Sequence, residues 1–528
     1  MERRLTPLSN LVSIRGPMCP CMPSRRLAEF ALVFVLALSA AVRVTANALA
    51  FPFFGHVDEF QHLDVLLKYE SGEMPSVEGD AYLPRTLWLK DYYGSPEYVQ
   101  AGNLPFPPVI WPTDVRERFL ASFMEEVKLP SVLNHNYEAM QPPVYYWSAV
   151  LWSSLGRAFG FVGGVSELYW LRCFGSVLAA LLVLLTYQWM LLAWPQAPPL
   201  LRVGAPALVA LLPQDCFYFI SNDAMGAVTV AGALVLLLLL RRNDALGDAR
   251  SRAALRSGMG LGMALGAATS ASLLVKVTNL PLLFPLAYVV LVRCRDLRAR
   301  GRRVFDAAHA SMLAAFAVPF AAWATYAIAV SGEVFGSAHK TSFCGFQDQT
   351  WAGVLGHPIW SLEGLWTFFS TLSARFIRGE THWNGVEMGM PALDVGLFIV
   401  SIVCLVASGI ATLRRRSAAL PLAVAAPLWI LLLAAVAMML GLSLYWDFAK
   451  SASPSRDFPY MVNGRMIACS LLPFAVLFVD GLLRLTRRLG RLGPQVILAI
   501  ILAALLVSEI LLMLPVFESP YNFFNLEL

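Results

Sequence analysis

Apolar runs of membrane length recur along the chain and alternate with polar stretches. The pattern predicts eleven crossing helices, at 28–50, 171–193, 203–220, 222–240, 257–275, 278–293, 306–330, 394–412, 420–445, 466–484 and 494–515. Helices satisfy their own backbone polar groups, so they are the expected way for such a chain to sit in hydrocarbon. Lys and Arg then gather on one side of the predicted bundle. Arg241, Arg242, Arg250, Arg252 and Arg256 share that side with Arg293, Arg295, Arg298, Arg300, Arg302 and Arg303, with Arg414, Arg415 and Arg416, and with Arg484, Arg487, Arg488 and Arg491. Basic loops stay in the cytoplasm, which puts the N-terminus there and the C-terminus opposite. The segment Pro142–Leu155, PPVYYWSAVLWSSL, is apolar enough to span. A crossing there would turn every later basic loop outward, so it reads as a helix at the outer interface, with Tyr145, Tyr146, Trp147 and Trp152 at headgroup depth.

Composition agrees with a polytopic membrane protein. Hydrophobic residues make up 58% of the 528 and charged ones 14%, and the mean hydropathy is +0.61. The net charge of +5 is a topology signal rather than a nucleic-acid footprint. The eight cysteines are scattered, and only Cys19 and Cys21 are closely spaced, which implies neither a disulfide framework nor a structural metal. The basic start of the chain reads as the flank of a retained anchor helix rather than a cleaved signal. No soluble terminal domain is expected beyond the last span.

Ionisable residues concentrate on the predicted outer side. HVDEFQH, holding His56, Asp58, Glu59 and His62, follows the first span and opens the longest polar loop. A helix over Val57–Tyr69 would carry Phe60, Leu63 and Leu67 on one stripe, with Asp58 and His62 facing an aqueous cavity from the other side. Two structural readings compete: Asp58 and Gln61 form a capping box, or Glu59 and His62 form half of a metal site. Asp223, in SNDAM, lies in an outer turn, an ordinary place for Asp. Asp215 falls inside an apolar run, where an acid is costly and is expected to be paired or functional. Lys276, Arg375, Arg378 and Arg465 are cations on the side that positive-inside bias disfavours. They either bind an anion such as phosphate or pair with Asp215, Asp223, Glu387 or Asp447. Arg43, within the first span, is expected to pair with an acid or snorkel.

Taken in order, HVDEFQH, QPPVYYW, SNDAM, LLVKVTN and NGRM resemble the integral-membrane glycosyltransferases of the GT-C class, in the branch that uses polyprenyl-phosphate sugars. That branch holds protein O-mannosyltransferases and aminoarabinose transferases of lipid A. The resemblance implies an all-α GT-C-like bundle of about eleven transmembrane helices, with interfacial helices in a large first extracytoplasmic loop. It divides the chain into a basic cytoplasmic N-terminus (1–27), a catalytic membrane module (28–330, with the extracytoplasmic loop 52–170), a second extracytoplasmic loop (331–393) and C-terminal membrane helices (394–528). It implies Asp58 as catalytic base with Glu59 beside it, Asp223 as second acid, and Lys276 and Arg465 on the carrier phosphate, joined by Arg375 or Arg378. His62, His56, Asp215 and Tyr146 would orient the base or contact the sugar. Two departures stand out: Val57 where many bacterial relatives have Pro, and Met466 where they have Tyr.

The expected activity is inverting transfer of a sugar from a polyprenyl-phosphate carrier to a hydroxyl of a glycan, lipid or protein acceptor. It would take place on the outer face of the inner (plasma) membrane. No metal is required, although the acidic pair leaves a Mg²⁺- or Ca²⁺-dependent variant open, and no nucleic-acid partner is expected. The rival readings are a transporter or flippase of a lipid-linked or acidic solute, with Asp215, Asp223 and Lys276 along its path, and a non-catalytic assembly subunit.

Overall fold

The computed structural model describes residues 22–55, 58–74, 76, 81–95, 97–98, 136–161, 164–246, 252–301, 303–335, 337–414, 420–451, 453–490 and 492–525. His56, Val57, Cys19 and Cys21 lie outside the described residues. Among the described residues, seventeen α-helices follow in order: α1 (Met22–Ala50), α2 (Glu59–Ser71), α3 (Pro84–Tyr93), α4 (Val144–Ala158), α5 (Gly164–Ala193), α6 (Pro199–Leu211), α7 (Asp223–Leu246), α8 (Arg252–Val275), α9 (Leu283–Ala299), α10 (Ala307–Ser331), α11 (Ser337–Phe343), α12 (Trp351–Leu355), α13 (Leu362–Arg378), α14 (Pro391–Leu413), α15 (Leu422–Tyr445), α16 (Leu471–Thr486) and α17 (Gly493–Phe517). Two short antiparallel pairs complete the picture, β1 (Gln347–Asp348) with β4 (Trp446–Asp447) and β2 (His382–Trp383) with β3 (Val386–Glu387).

Among the described residues, ten helical stretches are long and apolar enough to cross a membrane. They correspond to ten of the eleven predicted spans. The exception is 203–220, where helix α6 stops at Leu211. Pro213 is the cause: it donates no hydrogen bond and forces the preceding residue out of the helical region, and Leu212 is extended at φ −65°, ψ 122°. The interrupted segment still runs the length of α1. Arg202 pairs with Glu29 near the start of α1, whereas Arg43 donates to the carbonyl of Leu212 and to the hydroxyl of Tyr218. Asp215 therefore sits in a short 3-10 turn, Asp215–Phe217, rather than in a continuous apolar helix.

Close backbone approach builds the bundle. A Cβ on Gly266 of α8 would lie 2.0 Å from the carbonyl oxygen of Met312 on α10. Small residues at such crossings are how membrane helices reach dispersion contact where lipid is as apolar as the partner. One large apolar core runs through the long helices, and a second lies under α2, α3 and α4, built from Phe53, Leu63, Leu66, Tyr146 and Leu168.

Helix α2 corrects an expectation. It is not amphipathic with one face open: Phe60, Leu63 and Leu67 are buried, but so are Glu59, His62, Asp64 and Lys68. Its buried Glu59, Asp64 and Lys68 are paired within the protein. Asp64 pairs with Lys68 at 2.8 Å and accepts from Leu83 N, Thr86 Oγ1 and Asn136 Nδ2. The segment expected at the outer interface forms helix α4, but its Tyr145 and Tyr146 are buried within the protein instead of facing outward, because they pack in the second core, while Trp152 stacks on Trp170 at 4.4 Å.

Candidate active site

Asp58 stands at the N-cap of α2 in the left-handed region, φ 60° and ψ 23°, and makes no side-chain capping bond. Its carboxylate is turned to other segments instead. Oδ1 accepts from the hydroxyl of Tyr137 at 2.7 Å, and Oδ2 lies 3.0 Å from Arg465 Nη2 and 3.8 Å from Lys340 Nζ. Burial opposes its charge, but Lys340 and Arg465, helped by His62 and the Tyr137 hydroxyl, hold the carboxyl well below the usual range. Lys340 also pairs with buried Glu138, and the two carboxylates hold its ammonium above the ordinary lysine value despite burial.

His62 connects this group to the next. Its Nδ1 shares a hydrogen bond with the Tyr146 hydroxyl at 2.7 Å. Burial lowers its pKa to about 4, against the pull of Glu138, Asp58 and Asp223 and with the push of Lys276, so the ring is neutral near pH 7. Asp223, 2% exposed, pairs with Lys276 and accepts from Ser221 Oγ at 2.9 Å. Asp58, Glu138, His62, Asp223, Lys276, Lys340 and Arg465 thus form one alternating cluster at the end of the bundle where α2, α7, α11 and the 3-10 segment Gly464–Ser470 meet.

Glu59 is not part of it. It is fully buried, and Arg172 grips both its oxygens at 2.7 Å while Gly55 N and Ile220 N donate to them. Adjacent in sequence, the two acids face different partners, Asp58 the cluster and Glu59 the clamp. A divalent ion held jointly by Asp58 and Glu59 does not fit this arrangement, because the two carboxylates are each committed to a different cation. Among the described residues, no group of three or more His, Cys, Asp or Glu side chains converges as a metal site.

The remaining predicted cations are paired. Arg375 makes a bidentate bond to Glu387 at 2.8 and 2.9 Å. Arg378 pairs with Asp394 and donates to Ser508 Oγ at 2.8 Å, beside a small cavity of about 30 Å³ also lined by Tyr218, Thr381 and Glu509. Neither side chain bonds to Asp58. Arg43 pairs with Glu509, as an acid partner was expected to hold it.

Asp215 lies behind Arg465. Its Oδ2 accepts from Glu380 N at 2.7 Å and Thr381 Oγ1 at 3.1 Å, while Oδ1 is buried without a partner. Glu380 Oε1 and Arg465 Nη1 are likewise buried and unbonded. An unmet donor and two unmet acceptors at one place are costly unless something else engages them. Burial and the neighbouring Glu380 push the Asp215 carboxyl up to about 7, against Glu380 N–H, Arg465 and Thr381. Its folded-state value therefore exceeds the unfolded value of about 3.9, so the stability it contributes is full below about pH 4 and lost as pH rises through about 7. Asp215→Asn, which keeps an acceptor oxygen, is expected to flatten that fall; melting temperatures of both proteins from about pH 4 to about pH 8 check it.

Sequence reasoning missed Tyr137, Glu138, Lys340, Arg172 and Glu380. Arg172 alone carried a signal, as a cation inside a membrane-length apolar run.

No protein-family model and no curated protein matches the sequence. Solved structures match by shape. The archaeal oligosaccharyltransferase AglB from Archaeoglobus fulgidus, in complex with an inhibitory peptide and a dolichol-phosphate, superimposes at a TM-score of 0.51 and 12% identity, over 94% of this chain and 56% of that one. The chain thus spans a little over half the length of that enzyme. The oligosaccharyltransferase of the same organism tethered to an acceptor peptide gives a TM-score of 0.47 at 12% identity, over 93% and 55%. ArnT from Cupriavidus metallidurans bound to undecaprenyl phosphate gives 0.34 at 15%, over 84% and 77%. The fold is GT-C-like and multi-pass: helical apart from two short strand pairs, with ten candidate membrane spans among the described residues.

Proposed function

We propose that the protein is an inverting glycosyltransferase that moves a sugar from a polyprenyl-phosphate carrier to an acceptor hydroxyl on the extracytoplasmic face of the plasma membrane, with Asp58 as general base. The observation that carries this reading is the convergence, in a GT-C-like fold, of the Asp58 carboxylate with Arg465 and Lys340, next to the Asp223–Lys276 pair.

The cluster as it stands is charge-balanced and holds Asp58 too acidic to be a strong base, since a base works best with a pKa near the working pH. A carrier phosphate would compete for Arg465, whose Nη1 has no partner of its own, and for Lys276. Drawing Arg465 toward phosphate raises the Asp58 pKa at the moment substrate is bound. Asp58 then takes the acceptor's hydroxyl proton, the acceptor oxygen bonds to the anomeric carbon, and the bond from that carbon to the phosphate oxygen breaks. The electron pair leaves with the carrier phosphate, whose charge Arg465 and Lys276 stabilise. Attack opposite the leaving group inverts the anomeric centre. Neutral His62, held by Tyr146, orients the cluster or bonds the sugar.

Purified protein incubated with labelled polyprenyl-phosphate sugars should release polyprenyl phosphate only when an acceptor is present. Movement of intact sugar-carrier across a vesicle membrane without phosphate release would favour the flippase reading instead. Lys276→Ala is expected to weaken carrier binding by about tenfold or more while leaving acceptor binding near its starting value, consistent with a lost charge-assisted bond of about 1.5–3 kcal/mol. Equal losses for both substrates, measured in separate binding titrations, would make the residue a structural partner of Asp223 alone.

A further inference from the structure

We propose that the helix break at Pro213 encloses a binding site for one water molecule, held between Arg43 of α1 and Gln214. A cavity of about 10 Å³ lies where α1, α5, α6 and α16 meet, and Arg43, Val209 and Gln214 line it together with Leu182, Phe217 and Leu471. That is about the smallest space that admits a single water.

Two polar atoms of the lining residues find no partner among the described residues. Gln214 is 1% exposed, and its Nε2 donates to the carbonyls of Phe376 and, at 3.4 Å, Arg375. Those bonds fix which end of the amide is which and leave Oε1 as a buried acceptor without a bond. Arg43 commits Nη1 to Tyr218 and Glu509 and Nη2 to the Leu212 carbonyl, while its Nε–H is buried and unbonded. Val209 adds a third group. In a continuous helix its carbonyl would accept from the residue four positions on, which is Pro213 and has no N–H. Backbone groups freed in this way at membrane depth are re-satisfied by neighbouring side chains and ordered water.

The chemistry of the wall selects the occupant. It offers one donor, the Arg43 Nε–H, and two acceptors, Gln214 Oε1 and the Val209 carbonyl. A water answers with one lone pair and two O–H groups, and about three bonds are what a buried water makes. A halide has no proton for the two oxygens. A metal or ammonium cation has no lone pair for the guanidinium and is repelled by it. Bound there, the water ties α1 to the amide that directly precedes the Asp215–Phe217 turn and that holds carbonyls of the last turn of α13. This assignment does not depend on the transfer chemistry proposed above.

The test is X-ray radiolysis of the purified full chain in lipid nanodiscs, read residue by residue by mass spectrometry. Radicals born from a bound water oxidise the side chains that line its site. Phe217 lines the cavity, whereas Phe478 is a buried ring of the same core that does not. The expected result is oxidation of Phe217 with Phe478 unmodified, retained in Gln214→Glu, which keeps an acceptor, and lost in Gln214→Leu, which removes it. Phe217 left unmodified in the parent, oxidised no more than Phe478, or still oxidised in Gln214→Leu overturns the proposal. The comparison of the two rings in the parent decides the matter even where Gln214→Leu does not fold. No transfer assay enters the readout, so failure here and failure of the transferase reading are separate results.

Discussion

Asp58→Asn is expected to lower sugar transfer by roughly 10²–10⁴-fold, the range that a positioned general base contributes. The substitution keeps an oxygen for the Tyr137 hydroxyl and removes the charge that meets Arg465 and Lys340. Carrier binding should hold or tighten, because Arg465 loses its internal competitor for phosphate. A rise in carrier affinity together with a collapse in turnover is a signature that a folding defect would not produce. Turnover at the parental rate would remove Asp58 from the mechanism.

Arg172→Ala is expected to have the largest effect on stability. Arg172 is fully buried, grips Glu59 through two nitrogens, donates to the carbonyls of Ala48, Phe51 and Pro52, and lies over the Phe53 ring at 3.9 Å. Removing one partner of a buried ion pair leaves the other charge uncompensated and costs about 3–5 kcal/mol. The double variant Arg172→Leu, Glu59→Leu should recover part of that loss, because no lone charge remains. Thermal unfolding of both variants in detergent checks the order. If the single variant melted as the parent does, the clamp would not be what ties the end of α1 to Glu59.

Much of this architecture was legible in the chain. Spans announce themselves by length and hydropathy, and HVDEFQH stood out as an ionisable cluster because the runs around it are so apolar. The Pro213 break was also visible in LLPQDC, yet hydropathy averages over a proline and drew the helix through it. What pattern could not resolve was orientation at single residues. Asp58 and Glu59 are neighbours, and their faces are set by Arg172, more than a hundred positions away, and by Arg465, some four hundred away. Capping was a reasonable expectation for Asp58 from its spacing to Gln61. Its left-handed backbone and the pull of Arg465 and Lys340 send the side chain elsewhere. Lys340 lies in the polar stretch GSAHKTSF, which has no apolar periodicity to mark it. Its role comes only from packing against Glu138 and Tyr137. The four predicted cations divided in the same way. Arg375 and Lys276 took acid partners among those expected, Glu387 and Asp223, while Arg378 and Arg465 found Asp394 and Asp58.

The most direct measurement is a structure of the full-length protein with a polyprenyl-phosphate sugar bound. The account predicts phosphate oxygens about 3 Å from Arg465 Nη1 and Lys276 Nζ, at hydrogen-bond distance, with Asp58 released from Arg465 and facing the anomeric carbon. A phosphate held elsewhere on the protein, with the Asp58–Arg465 pair intact, would contradict it.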